Sequence, residues 1–286
     1  MVKIIGDTTS GLPAEVAEQY DIPIIPQVIN FGDQSYLEGW EIDTATFMKK
    51  LQESETLPKT AAPPPELFVE EFEALAATGE AAICVLPSAV VSGTVRSATV
   101  AARDFPDLDI RIVDTRVIGS PVATLLRLAA RWADAGLDVD AIEARLYALA
   151  ARCRVYFVVD TLEYLAKGGR IGGAAALLGS VLQLKPVLTL EKGRIESLEK
   201  VRTLKRAKLR LKALVVEQIA SGEEGRLSIM HAAVPDQAQA LADDLKRELQ
   251  LPYEVWVLNV PPAIVTHGGP GVLAAAFFTP PVEREA

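Results

Sequence analysis

Residues 81–115 read AAICVLPSAVVSGTVRSATVAARDFPDLDIRIVDT. The first six are an uninterrupted apolar run, "SGTVRSATVAARDF" carries apolar residues at helical spacing, and "IRIVDT" is a second run rich in β-branched residues. A strand, a helical crossover and another strand make a βαβ unit, whose two strands lie parallel. The same alternation extends outward. Upstream, "VKIIGD" and "IPIIPQVINF" read as strands around a helix near Leu12–Tyr20; downstream, "SPVATLLRLAARWADAG" reads as a helix and "VYFVVD" as a further strand of the series. These elements predict an N-terminal parallel sheet covered by helices on both faces.

After Asp160 the pattern changes. "PVLTLEKGRIESLEKV" alternates on either side of Lys192-Gly193, a hairpin signal, and "TLKRAKLRLKALVVEQIA" is a long basic amphipathic helix. Strand "RLSIMHAA", helix "DQAQALADDLKREL" and strand "YEVWVLNV" follow. The fold class expected is α/β with two domains, 1–155 parallel and 156–286 with a mixed sheet, the boundary falling in the stretch 150 to 160.

Composition narrows the function. With 29 Lys and Arg against 38 Asp and Glu, the net charge of −9 argues against nucleic acid, which needs a basic footprint, and against anionic membranes. The start, "MVKIIGDTTSG", has no secretory pattern, so cytoplasm is the expected location. Cys84 and Cys153 lie far apart in apolar runs and read as core thiols. Residues 255–282, VWVLNVPPAIVTHGGPGVLAAAFFTPPV, are long enough to span a bilayer, but five prolines and Gly-Gly-Pro-Gly interrupt them. They read as a buried strand, an irregular loop and a short helix, with no stable membrane insertion.

Phosphate binding is the first thing to test at Gly168-Gly169-Arg170-Ile171-Gly172-Gly173. No Lys-Ser or Lys-Thr follows, and G-x-G-x-x-G is not satisfied, so no nucleotide is expected there. Gly269-x-Gly271-x-x-Ala274 does match that spacing, yet too little sequence follows for the rest of a dinucleotide-binding unit. Neither histidines nor cysteines cluster at metal spacing, and no metal or cofactor is expected.

Ligands of open parallel sheets sit beyond the carboxyl ends of the strands. That rule selects Asp7-Thr8-Thr9-Ser10, Pro87 to Gly93, and Asp114-Thr115, all rich in hydroxyls and carboxylates. Helix capping accounts for any one of them; the set suggests a site. Ser92 begins "SGTVRSA" at a helix start, but Val90-Val91-Ser92-Gly93-Thr94 lacks the first glycine of a nucleophile elbow. Of the two histidines, His231 lies in an apolar strand, whereas His267 stands before a Gly-rich turn expected to open a helix. Thr60, in "LPKTAAPPPELF", is a third candidate, on a proline-stiffened loop. A hydrolase using Ser92 as nucleophile and His267 as base is the competing reading.

Taken in order, "DTTSGLP", "LPKT", "SGTVRSA", "VDT", "LEYLAKGGRIGG", "LKPVLTLEKGRIESLEKVRT" and "HGGPG" resemble the DegV family of bacterial fatty-acid-binding proteins along the whole chain. The resemblance implies a protein that performs no chemistry alone. It implies a long-chain fatty acid in a tunnel between two domains, its carboxylate held by Thr60, Ser92 and His267, and a fatty acid kinase ATP-binding subunit as partner. It also implies that "GGRIGG" is a backbone turn near the ligand, with Gly93, Arg170 and Gly269 near ligand or partner and Arg202 engaging the kinase. Two hydroxyls and an imidazole can replace the water lost by a buried carboxylate, and a tail of about ten methylenes adds roughly 8 kcal/mol gross. Departures are Ala61, where the family commonly has serine after the threonine, and Ala89-Val90-Val91 before "SGT", where serines are usual. Both thin the polar lining.

Overall fold

The computed structural model describes residues 2–178 and 184–281, in two compact units. One comprises the chain up to Ala150 together with Pro261–Thr266; the other comprises Ala151–Val260 and the chain from His267 onward.

The first unit contains, in chain order, β1 (Val2–Asp7), α1 (Ala14–Gln19), β2 (Ile24–Ile25), β3 (Val28–Phe31), β4 (Gln34–Leu37), α2 (Thr44–Glu53), β5 (Lys59–Ala61), α3 (Glu66–Ala76), β6 (Ala81–Leu86), α4 (Thr94–Ala102), β7 (Ile110–Asp114), α5 (Ser120–Asp134) and most of α6 (Val139–Arg152). Strands β2-β1-β6-β7 form a parallel sheet, with Ile4 opposite Ile83 and Cys84 opposite Ile112. Period-2 alternation sends Ala82, Cys84 and Leu86 of β6, with Ile5 of β1, against Phe68 and Phe72 of α3 and Ala98 and Ala101 of α4. Helix α5 packs on β1 and β6, and seven of its residues from Ser120 to Leu126 are buried in succession. The βαβ unit expected over 81–115 is β6–α4–β7. Both cysteines are free and buried, and burial pushes the Cys153 thiol up to about 12 and Cys84 higher still, which makes both poor nucleophiles.

"IPIIPQVINF" is not one strand. It splits at Pro26-Gln27: β2 stays in the parallel sheet, while β3 joins β4 and β5 in a separate antiparallel sheet of order β4-β3-β5. Pro26 has no N–H to give a ladder, and the Gln27 N–H is taken at 3.0 Å by Thr8 Oγ1, so pairing is interrupted at that point. Thr60, expected on a loop, is the middle residue of β5, opposite Ile29.

The second unit holds β8 (Cys153–Val158), α7 (Glu163–Lys167), β9 (Val187–Glu191), β10 (Arg194–Glu199), α8 (Leu204–Gln218), β11 (Ser228–His231), α9 (Pro235–Glu248) and β12 (Trp256–Asn259). Helix α10 (Pro262–Gly268) leads into its last strand, β13 (Leu273–Phe278). The sheet order is β10-β9-β8-β13-β11-β12, antiparallel except for the β11–β12 pair. Ala207, Leu211, Leu214 and Val215 of α8 and Ala238, Ala242 and Leu245 of α9 cover Tyr156, Val187, Ile229 and Phe277. The Lys192-Gly193 hairpin is present, both residues having positive φ (49° and 81°) as a type I′ turn requires. "VYFVVD", expected in the N-terminal series, is β8 and pairs antiparallel with β9 and β13.

Residues 255–282 need a larger correction within their described part. After strand β12 the short helix, expected last, comes at once as α10, and "LAAAFF", expected to be helical, is β13. Alanine favours helix, but β13 has a partner on each edge and all six residues buried, so tertiary pairing outweighs propensity. Strand β12 is partly exposed, unlike the fully buried strand expected. His267 therefore ends a helix instead of preceding one: Pro262 opens α10, and Gly268 with Gly269 (φ 77°) closes it. Among the described residues no helix is long and apolar enough to cross a membrane.

Candidate functional site

In the first unit the polar residues at the strand ends form one connected cluster. Asp7 ends β1 fully buried, accepting from Thr9 Oγ1 at 2.6 Å and from Gln27 Nε2 at 2.7 Å. The same Gln27 nitrogen donates to Thr94 Oγ1 at 2.8 Å, and Thr94 Oγ1 lies 2.8 Å from Ser92 Oγ. Burial pushes Asp7 up to about 6, against the opposing effect of its bonds to Thr9 and Gln27.

Beside it, Glu38 accepts from Thr8 Oγ1 and, at 2.9 Å, from the backbone N–H of Ala263 in the first turn of α10. Burial raises Glu38 to about 7, with the Asp7 charge contributing in the same direction. An acidic side chain at a helix start is favourably placed toward the helix dipole.

Ser92 immediately precedes Gly93, the N-cap of α4, and is half-buried. Its hydroxyl accepts from the Thr94 N–H at 3.3 Å. The hydrogen bonds that orient Ser92 thus run to Thr94, a hydroxyl and an amide, whereas an activated serine nucleophile is bonded to its base. A Cβ added to Gly93 would lie 3.1 Å from Ala62 Cβ, so the chain leaving β5 runs directly against the start of α4. That close approach brings the Thr60 and Ser92 segments side by side.

In the second unit His267, Arg170 and Gly269 come together. A Cβ on Gly168 would stand 2.2 Å from His267 Nδ1, and one on Gly269 2.5 Å from the Tyr164 ring, so the turn after α7 and the turn after α10 are in close contact. Arg170 Nη1 donates to the Gly168 carbonyl at 2.8 Å. Burial pushes His267 down to about 4, assisted by the Arg170 charge, and the ring is neutral at pH 7. The C-terminal end of α10 favours the imidazolium, but burial and Arg170 outweigh it. Arg202 is exposed in the turn between β10 and α8.

The glycine run of "GGRIGG" has a structural cause. A Cβ on Gly172 would be 2.1 Å from the Ile195 carbonyl oxygen, and one on Gly173 1.6 Å from Glu196 Oε2. The second pair, Gly172 and Gly173, is glycine because it lies on β10, and Gly168 because it lies on His267.

Reading the sequence singled out Asp7 to Ser10 and Ser92 but passed over Gln27, Glu38 and Thr94. Gln27 carried a signal, an amide inside an otherwise apolar run. Among the described residues no group of His, Cys, Asp and Glu is placed to hold a metal ion.

A family model described as "Uncharacterised protein, DegV family" matches residues 1–280. A DegV domain-containing protein of Streptomyces coelicolor is 41% identical over 273 residues, covering 95% of this chain and 96% of that protein. Among solved structures, a DegV family protein from Thermus thermophilus, described by its fatty acid binding, superposes with a TM-score of 0.88 at 29% identity, covering 98% of this chain and 99% of the other. A fatty acid binding DegV family protein from Streptococcus agalactiae gives 0.89 at 28% identity with the same coverage.

Proposed function

The chain belongs to the DegV family, and from that premise we propose that it binds a long-chain fatty acid and presents the carboxylate to the ATP-binding subunit of a fatty acid kinase. The observation that carries the first part is the full-length similarity to two structures described as fatty acid binding. Local geometry supports it. The carboxylate is held by the hydroxyls of Thr60 and Ser92 and by an N–H of His267. A neutral imidazole still has one donor, and an arriving carboxylate raises its affinity for a second proton. Arg170, already close enough to depress His267, adds positive charge that favours an anion there.

The protein performs no chemistry alone. It delivers an acyl group, in the cytoplasm, to a kinase that converts it to acyl phosphate for phospholipid metabolism. Arg202 offers the kinase an exposed guanidinium capable of bidentate pairing with a carboxylate, and Gly93 and Gly269 lie next to the carboxylate. Protein, fatty acid, ATP and kinase subunit together are expected to yield acyl phosphate, trapped as a hydroxamate. Omitting the protein should abolish the signal. Equal yield without it contradicts the carrier role.

A further inference from the structure

Gln27 is buried in the first unit, and its backbone is fixed on both sides. Its N–H donates to Thr8 Oγ1 at 3.0 Å, and its carbonyl accepts from the Glu38 N–H at 2.9 Å. The side chain has one favoured orientation. Nε2 donates to Asp7 Oδ2 at 2.7 Å and to Thr94 Oγ1 at 2.8 Å, while Asp7 Oδ1 accepts from Thr9. At pH 7.5 Asp7 is ionised, its carboxyl titrating at about 6. Turning the amide over would set its oxygen against that carboxylate, acceptor facing acceptor.

The Gln27 donor decides where the next two protons go. Thr94 is fully buried, and among the described residues its Oγ1 has hydrogen bonds with two atoms, Gln27 Nε2 and Ser92 Oγ. An amide nitrogen accepts nothing, so the Thr94 proton goes to Ser92. Ser92 Oγ also accepts from the Thr94 N–H at 3.3 Å. Both lone pairs of Ser92 Oγ are thereby taken, and its own proton is left to point out of the network.

We propose that Gln27 is a positioning residue for fatty-acid binding: by donating to Thr94 it turns the Thr94 hydroxyl onto Ser92 and presents Ser92 as a donor, the form a carboxylate requires. This rests on the reading that Ser92 holds the carboxylate, and it deepens that reading without adding a ligand contact, since Gln27 acts only through Thr94. A serine left to itself can equally offer a lone pair, which repels a carboxylate. Fixing the hydroxyl before the ligand arrives spares binding the cost of reversing it.

The test is displacement of a fluorescent fatty acid by oleate on delipidated full-length protein at pH 7.5, with thermal unfolding as the check on the fold. Gln27→Glu keeps the size of the side chain and reverses the network. The new carboxyl group shares a proton with Asp7, as adjoining buried carboxyl groups do, and its second oxygen accepts from Thr94, which then accepts from Ser92. Oleate affinity is expected to fall about tenfold or more. Gln27→Met removes the donor without supplying an acceptor, and is expected to cost only about threefold, the lost preorganisation. In a Ser92→Ala background neither change should lower affinity further, because the group they act through is gone. Should Gln27→Glu not fold, Gln27→Met with and without Ser92→Ala applies the same criterion. Losses that add in full to that of Ser92→Ala would make Gln27 a packing residue and overturn the proposal. So would Gln27→Met as damaging as Gln27→Glu, or oleate affinity unchanged in Gln27→Glu while the wild type binds normally. Failure of the wild type to bind oleate or palmitate overturns the fatty-acid reading, and this proposal with it.

Discussion

Replacing Thr60 with valine or Ser92 with alanine is expected to weaken fatty-acid binding about 10- to 100-fold each and to leave the fold intact. A hydrogen bond to a charged group contributes about 1.5–3 kcal/mol, and about 1.4 kcal/mol is a factor of ten in affinity. The carboxylate loses one donor in each variant and cannot recover water inside the protein. Valine matches threonine in shape and suits a strand, and Thr60 sits in β5 opposite Ile29, so packing there survives. In Ser92→Ala the internal loss is the 2.8 Å bond with Thr94 Oγ1 and the long 3.3 Å bond from the Thr94 N–H, together about 1–2 kcal/mol and a few degrees of melting temperature. Displacement of a fluorescent fatty acid reads the affinity and thermal unfolding reads the fold. Unchanged affinity in both variants would remove Thr60 and Ser92 from the site.

Gly172→Ala should do the opposite, costing stability before it touches binding. Gly172 has φ 53°, in the left-handed region that alanine enters at about 1–2 kcal/mol. Its Cβ would also stand 2.1 Å from the Ile195 carbonyl oxygen, a backbone atom of β10 that cannot turn aside as a side chain can. Overpacking of this kind adds about 1–3 kcal/mol, giving a loss of roughly 2–5 kcal/mol in urea unfolding. A change below about 0.5 kcal/mol would mean that the contact with β10 is not what requires glycine here.

These two sites differ in how far the sequence discloses them. The β6–α4–β7 unit, the Lys192-Gly193 hairpin and the amphipathic α8 are set by local pattern, and each is where the sequence places it. Strand β13 is not, because Ala274-Ala275-Ala276 carries no local strand signal and becomes one only through β8 and β11 at its edges. The break at Pro26 turns on a bond from Gln27 to Thr8, nineteen residues away in sequence. At the candidate site, Asp7 and Ser92 follow from the rule that ligands gather beyond strand ends, whereas Gln27, which joins Asp7 to Thr94, requires the three-dimensional arrangement. The run "GGRIGG" is conspicuous as glycine, but the partner that explains it, Ile195, lies across a hairpin that spacing alone cannot place against it.

Native mass spectrometry of the purified protein, followed by denaturation and identification of the released small molecule, tests the central claim most directly. The account predicts a single long-chain fatty acid at close to one per chain, or stoichiometric uptake when one is added to empty protein. Protein that carries no lipid and binds none on addition would contradict it.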